Sequence, residues 1–326
     1  MPDEPRDLTI DALRVLGLAA VVTGHWLVTG FATGGPGARV TSPLAVSTAL
    51  WPLTWFLQTL GPLFFAAGFA AARRGRRPAR PGGRLPVVAA VVAVAVAWAA
   101  GGTLVHLALS PLWFAGVLLV LSRLRPVLDR SPWWLLVPAT AVALLDLAGP
   151  HDPLSTAARA VLAWSVPYGL GVAHARGRLT RPAGPVLAVA GAALVVGLVG
   201  TGPASAVGVP GRPGSPLNPP GAVAVGLAVA QVGVFLLLRP ALRRPAAVLA
   251  RFNRYCLPVY LLHLPVLCVF AALGVPGVVG DVAADGWWAA RCAVLPALAL
   301  TLLLACRCLP RRRGVRFRVW AGSSRG

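Results

Sequence analysis

The sequence contains no lysine and few acidic residues. Only nine of its 326 residues are aspartate or glutamate, and charged residues of both signs make up 12%. Hydrophobic residues make up 57%, and the mean hydropathy is +0.75. A soluble domain with this composition would not stay in solution, so the sequence predicts a membrane protein that crosses the bilayer several times.

All 30 basic residues are arginine, and the formal net charge is +21. Such a charge can indicate nucleic-acid binding, but these arginines form short clusters between apolar runs, and the alternate loops are nearly free of charge. This distribution follows the positive-inside rule for membrane proteins. We therefore expect no nucleic-acid partner, and we expect both termini to lie in the cytoplasm.

Other absences argue against a coupled carrier and against a metal site. Asp146 is the only carboxylate clearly inside an apolar run, whereas proton- or sodium-coupled carriers usually need more than one. No duplicated half is visible, as an inverted-repeat transporter would have. The five cysteines include no CxxC pair, so they are interpreted as small buried hydrophobic residues and no metal or redox cofactor is expected.

The apolar runs predict an all-α bundle of about ten transmembrane helices, at about 20 residues each, in the plasma membrane. Residues 1–310 would form the transmembrane domain, and 311–326 a basic cytoplasmic tail. Two longer outer loops, 33–49 and 201–219, are rich in Gly, Pro, Ser and Thr, which is typical of irregular structure over a cavity mouth. The predicted spans are 11–32, 50–72, 86–105, 107–122, 133–149, 158–175, 184–202, 220–238, 255–274 and 287–306.

The first apolar segment carries an arginine and a histidine on one face. Arg14 and His25 are eleven residues apart, which makes three helical turns plus roughly 20°, with about 16 Å between them along the axis. Asp11 lies within about 40° of the same line, and we expect it to hold Arg14 in an ion pair. Such side chains are unfavourable in lipid, so this face is predicted to line a protein interior.

Histidine is the only side chain whose unperturbed pKa lets it move protons near neutral pH. The alignment of His25 with Arg14 favours a functional role for His25. His263, in another apolar segment between two prolines, is either a second site histidine or a buried hydrogen-bonding one. We expect His106 to lie at the membrane interface and His151 to be a solvated surface residue. His174 is expected to interact with the dipole at the carboxyl-terminal end of its helix.

An arginine cluster follows the second apolar segment. Small side chains within residues 66–72 would let a neighbouring helix approach closely. Arg73 and Arg76 share one helix face if the helix continues, and Arg74 and Arg77 form a second such pair. The cluster is either an ordinary stop-transfer signal or a cytoplasmic site where arginine forks bind the phosphates of an anionic donor.

Five stretches, in order, resemble the acyltransferase family 3 integral membrane proteins. Arg14 and His25 match the family's R-x10-H signature, and PLFFAAGF resembles its FF-x-x-GF segment, followed by an R-x-x-R motif. Three further stretches resemble later segments of the family. PLWFAGVLLV is similar to its LWF segment, and NPPGAVAVGLAVAQ is similar to the start of its eighth helix. NRYCLPVYLLHLPV is similar to its late helix with the Y-L-x-H motif. Ala67 departs from the serine of many members, so no hydroxyl role is expected there, and the chain is more similar to actinobacterial-type members.

The resemblance implies an enzyme that moves an acyl group, with acetyl expected, from cytoplasmic acyl-CoA to a hydroxyl of a sugar, glycan, lipid or secondary metabolite. It would be an EC 2.3.1-type acyltransferase of the cell envelope. Acyl-CoA would be a co-substrate, not a bound cofactor. The expected partners are the bilayer, acyl-CoA and the hydroxyl acceptor. The alternative is a multi-span transporter or exporter of a lipid-linked or small-molecule substrate without covalent chemistry.

The resemblance also assigns roles to residues. His25 would be a general base on the acceptor hydroxyl or would carry the acyl group transiently, and burial favours the neutral imidazole that both roles require. Arg14 would act beside it by steadying the donor. Asp11 and His263 would support this pair. The arginines expected to bind the donor phosphates are Arg73, Arg74, Arg76 and Arg77.

Overall fold

A computed structural model describes residues 6–73, 102–149, 152–179, 182–200, 204–212 and 214–308. These residues form an all-α bundle with one pair of two-residue strands, β1 (Gly30–Phe31) and β2 (Val40–Thr41). The helices are α1 (Leu8–Val28), α2 (Trp51–Leu57), α3 (Leu60–Arg73), α4 (Thr103–Leu109), α5 (Leu112–Leu128), α6 (Leu136–Ala148), α7 (Pro153–Ala175), α8 (Ala183–Val199), α9 (Ala222–Leu249), α10 (Cys256–Ala272) and α11 (Trp287–Cys308).

Five helical segments of the described chain are long and apolar enough to cross a membrane. They are Leu8–Val28, Thr48–Arg73, Thr103–Leu128, Ala222–Ala272 and Trp287–Arg307. Two shorter apolar helical stretches, Pro132–Ala148 and Ala183–Val199, accompany them. Together these segments support a membrane protein. The number of about ten spans and the cytoplasmic location of both termini stay predictions. The predicted third span lies largely outside the described residues, as does the 311–326 tail.

The predicted second span, 50–72, is not one continuous helix. Helix α2 ends at Leu57 and α3 begins at Leu60, so Gln58 and Thr59 interrupt it. The sequence pattern misses the interruption because mean hydropathy over a long window does not report the path of the backbone. The predicted fourth span is also divided, into α4 and the longer α5.

The predicted eighth span continues well beyond its expected end at residue 238. Helix α9 runs on to Leu249, through arginines that the charge pattern assigns to a loop. Arginine is a good helix former, so an arginine cluster marks a charged boundary without ending a helix. A short 3₁₀ segment, Ala250–Tyr255, then leads into α10.

Helices α3 and α7 pack with their backbones in direct contact. A Cβ atom at Gly68 would lie 1.9 Å from the carbonyl oxygen of Tyr168, and one at Gly171 would lie 2.0 Å from that of Phe65. Beside this contact, Phe64 stacks on Trp164 with ring centroids 5.1 Å apart. The predicted close approach of a neighbouring helix to residues 66–72 is confirmed.

Loops and a buried arginine close the bundle at the carboxyl-terminal end of α1. β1 and β2 pair antiparallel, with Gly30 opposite Thr41. Arg291 of α11 is fully buried and donates to the backbone oxygens of Gly277, at 2.9 Å, and Thr29. The guanidinium therefore holds the carbonyl that follows the last turn of α1, where a positive charge also favours the helix dipole.

The α3–α7 contact generates a stability prediction. Gly171→Ala should lower the free energy of unfolding by about 1–3 kcal/mol or more, because the added methyl group must push two backbones apart. Gly116→Ala is the matched control, since a Cβ there meets no atom of a neighbouring element within 4 Å among the described residues. Thermal unfolding midpoints in detergent measure both variants. Equal midpoints for the two would contradict the backbone contact.

Candidate active site

The amino-terminal end of α1 is tied to α7 and α9 by a partly buried ion pair. Asp7 caps the helix through the amide nitrogens of Thr9 and Ile10, and its Oδ2 lies 2.5 Å from Arg239 Nη2. Burial works against the ionised carboxylate, but the hydrogen bond from Thr9 and the charge of Arg239 outweigh it, so the pKa of Asp7 lies below its ordinary value. Arg239 also donates from Nη1 to His174 Nε2 at 3.2 Å.

One turn later, Asp11 joins α1 to its neighbours. Its carboxylate accepts from Asn253 Nδ2 at 2.7 Å and from Arg6, and it lies 3.5 Å from Arg14 Nη1. Arg14 also donates from Nη2 to the backbone oxygen of Ala66 at 2.7 Å. Arg14 is therefore held between a carboxylate on its own helix and a carbonyl of α3.

Near the other end of α1, His25 meets His263 of α10. Their Nδ1 and Nε2 atoms are 2.8 Å apart, and the two rings are nearly parallel. His263 is fully buried, whereas His25 remains partly accessible from a cavity. Trp26 donates from Nε1 to the backbone oxygen of His263 at 3.0 Å, which fixes α10 against α1.

Hydrogen-bond partners determine which nitrogens of the pair carry protons. His263 Nδ1 lies 2.7 Å from the backbone oxygen of Tyr260, which only accepts, so Nδ1 must donate. In a neutral imidazole, His263 Nε2 is then the acceptor, and His25 Nδ1 must be the donor. This leaves the lone pair of His25 Nε2 available for a substrate, as a general base requires.

The cavity beside His25, here called the histidine cavity, has a volume of about 210 Å³. It is bounded by α1, by the end of α2 and by the β2 region, and its polar lining residues include Gln58, Thr41 and Ser42. Residues 207, 208 and 210 also line it. Both loops predicted to cover a cavity mouth therefore contribute to its wall.

A second cavity, here called the arginine cavity, lies toward the amino-terminal end of α1 and has a volume of about 460 Å³. Arg14 and Asn253 lie on its wall, with the small side chains of Ala67, Ala70 and Ala71. Tyr260 of α10 also lines it, one helical turn before His263. Helix α1 therefore borders both cavities and α10 borders the arginine cavity, and the histidine pair joins these two helices.

The structure describes only part of the predicted donor site. Arg73 is exposed at the end of α3, with its guanidinium 5.5 Å from the centre of the Phe69 ring. Arg74, Arg76 and Arg77 lie outside the described residues, as does His151. The structure brings together Arg14 with Asp11, and His25 with His263. Within the described chain, no cluster of three His, Cys, Asp or Glu residues suits a metal ion.

Sequence reasoning missed several polar residues that hold the site. The charge pattern assigns Asn253 and Arg239 to a loop, yet they bind Asp11 and Asp7. Gln231 of α9 donates to the backbone oxygen of Gln58 at 2.7 Å. A single polar residue inside an apolar run was the available signal for Gln231 and also for Arg291.

Comparison with known protein families gives one match. The family model described as an acyltransferase domain, Acyl_transf_3, matches residues 87–306. The matched range contains His263, Tyr260 and Asn253, whereas Arg14 and His25 precede it. Neither a curated protein nor a solved structure matches the chain.

The tautomers of the paired histidines can be measured directly. In membranes containing the protein with ¹⁵N-labelled histidine, nitrogen NMR should show Nδ1 protonated and Nε2 unprotonated in both rings. The variants His25→Asn and His263→Gln assign the signals by their loss. A protonated Nε2 on neutral His263 would contradict the hydrogen-bond geometry.

Proposed function

This chain belongs to the acyltransferase 3 family of membrane acyltransferases, and we propose that it transfers an acyl group from acyl-CoA to a hydroxyl with His25 as the general base. The observation that carries the proposal is the His25–His263 hydrogen bond, which leaves His25 Nε2 unprotonated beside a cavity. A base placed this way can remove a proton from a hydroxyl bound in that cavity.

The proposed reaction has two proton movements. His25 Nε2 takes the proton of the acceptor hydroxyl while the hydroxyl oxygen bonds to the thioester carbon. The carbon–sulfur bond then breaks, and His25 returns the proton to the leaving thiolate of CoA. While His25 is positively charged, the hydrogen bond from its Nδ1 to His263 Nε2 becomes charge-assisted and therefore stronger.

The two cavities support separate binding regions for donor and acceptor. The arginine cavity is the larger, and Arg14 on its wall suits a donor that carries phosphates. Arg73 lies at the same end of the bundle, and Arg74, Arg76 and Arg77 follow it in sequence. The histidine cavity, next to the hydroxyl-bearing loop residues Thr41 and Ser42, suits the acceptor.

The finer parts of the proposal extend the family assignment. We propose acetyl-CoA as the donor, and a sugar, glycan, lipid or secondary metabolite as the acceptor. The protein would lie in the plasma membrane with about ten spans and cytoplasmic termini, as an actinobacterial-type member of its family. A transporter without covalent chemistry is the alternative, and it would move substrate without releasing CoA.

His25→Ala should abolish acyl transfer, because the variant removes the lone pair that accepts the hydroxyl proton. The assay uses inverted membrane vesicles from a deletion strain, which retain the native acceptor, with the variants expressed to equal levels. Transfer of label from radioactive acetyl-CoA and release of free CoA are both measured. A general acid–base group contributes about 10²–10⁴-fold to the rate, so at least this loss is expected.

The control for this experiment is His151→Ala, which changes a histidine that the sequence assigns to an outer loop and should keep wild-type activity. Full activity of His25→Ala would rule out the proposed mechanism. Substrate movement without CoA release by the wild type would instead favour the transporter. An acyl adduct on His25 in intact-mass spectra, recorded without acceptor, would replace the base role with a carrier role.

His263 is proposed as a positioning residue, and its variants should have graded activity. His263→Gln keeps a hydrogen-bond acceptor for His25 Nδ1, whereas His263→Leu removes it. The transfer rate should therefore be highest for the wild type, lower for His263→Gln and lowest for His263→Leu. A purely structural role would make the order follow thermal stability instead of hydrogen-bonding capacity. Equal rates for the Gln and Leu variants would contradict the positioning role.

A further inference from the structure

The break between α2 and α3 lies in the middle of a segment that can cross the membrane. The apolar stretch runs from Thr48 to Arg73, and Gln58 and Thr59 interrupt its helix near the centre. At membrane depth, non-helical backbone is tolerated only where protein covers it or where it borders a cavity. This break borders the histidine cavity, because Leu57 and Gln58 line it.

A glutamine from α9 satisfies the carbonyls that the break releases. Gln231 Nε2 donates to the backbone oxygen of Gln58 at 2.7 Å and to that of Trp55 at 3.4 Å. Just beyond the break, Gly61 lies so close to α9 that a Cβ atom would be 2.6 Å from Ala228. The break is therefore a built feature whose backbone is held in place.

Contacts with α1 locate the break relative to His25. Thr59 donates from its hydroxyl to the backbone oxygen of Gly17 at 2.6 Å, and a Cβ at Gly24 would lie 3.3 Å from Leu57. Gln58 thus falls between the levels of Gly17 and Gly24 along α1, on the amino-terminal side of His25, with which it lines the histidine cavity. A group that arrives from the arginine cavity reaches this level before it reaches the loops.

The other polar groups of the histidine cavity are less suited to the acyl carbonyl. Thr54 is occupied, because it donates to the backbone oxygen of Trp51 and accepts from the amide nitrogen of Ala206. Thr29, Thr41 and Ser42 follow the carboxyl-terminal end of α1 and belong to the loop side, where the acceptor is proposed to bind. Gln58 lines the cavity on the side from which the acyl donor would come, and its carboxamide has two N–H donors.

We propose that the Gln58 carboxamide donates a hydrogen bond to the acyl carbonyl oxygen, as the oxyanion-stabilising residue of the reaction. This role rests on the proposed function. When the acceptor oxygen bonds to the carbonyl carbon, the carbonyl oxygen gains the negative charge that an N–H donor stabilises. When the carbon–sulfur bond breaks, the electron pair returns to re-form the carbonyl and the charge leaves with the CoA thiolate. A preorganised donor away from water stabilises such a charge most strongly in the transition state.

The decisive variant is Gln58→Met, which nearly keeps the side-chain volume and removes both N–H donors. In the vesicle assay, its rate at saturating acetyl-CoA should fall about 10²–10³-fold. The half-saturating acetyl-CoA concentration should stay unchanged, because the interaction forms in the transition state. Gln58→Asn keeps a donor and should recover part of the loss. Thr140→Val also replaces a polar side chain by an apolar one, but at an exposed position of α6 that lines neither cavity. It is the control and should keep the wild-type rate at saturating acetyl-CoA.

Thermal unfolding midpoints show whether the variants fold. If Gln58→Met folds and keeps its rate while His25→Ala is inactive, the inference is overturned and the proposed function stands. If Gln58→Met raises only the half-saturating acetyl-CoA concentration, Gln58 binds the donor and the inference is also overturned. If Gln58→Met is unstable, equal rates for folded Gln58→Asn and Gln58→Ala overturn the inference, and a clear advantage of Asn supports it. Full activity of His25→Ala would overturn the proposed function itself.

Discussion

A hydrogen bond inside the membrane has no water to replace it, and the pairing of His25 with His263 depends on this constraint. A buried polar atom must find its partner within the protein. Because the backbone oxygen of Tyr260 can only accept, it sets the proton position on His263, and His263 in turn sets the proton position on His25. A backbone carbonyl at the far end of this hydrogen-bond chain therefore determines which nitrogen of His25 is basic.

The sequence indicates only one half of this arrangement. The spacing of Arg14 and His25 places both on one helical face, and the resemblance to a family singles out the same two residues. The partner of His25 could not be derived from spacing, because His263 lies 238 residues away and only the packing of α1 against α10 joins them. Nor could the sequence predict the tautomers, which depend on which carbonyl each nitrogen meets.

The helix boundaries, too, can be predicted from the sequence only in part. Apolar runs predict which segments enter the membrane. Hydropathy does not report that Gln58 and Thr59 leave the helix, because the backbone carbonyls released there are hydrogen-bonded by Gln231, which is distant in the sequence but close in space. The charge pattern assigns arginine clusters to loops, yet α9 continues through Arg239, which forms an ion pair with Asp7. A charge pattern indicates where water begins, and tertiary partners decide whether the helix ends there.

Many of the hydrogen bonds between distant parts of this bundle join a side chain to a backbone carbonyl. Any residue type supplies that carbonyl, so the accepting positions are free to change without loosening the contact, provided that the backbone keeps its path. Pairwise covariation between aligned sequences would therefore fail to register these contacts, although they hold the helices together. The side chains and their accepting positions are Arg14 with Ala66, Trp26 with His263, Arg125 with Ala71, Gln231 with Gln58, and Arg291 with Gly277.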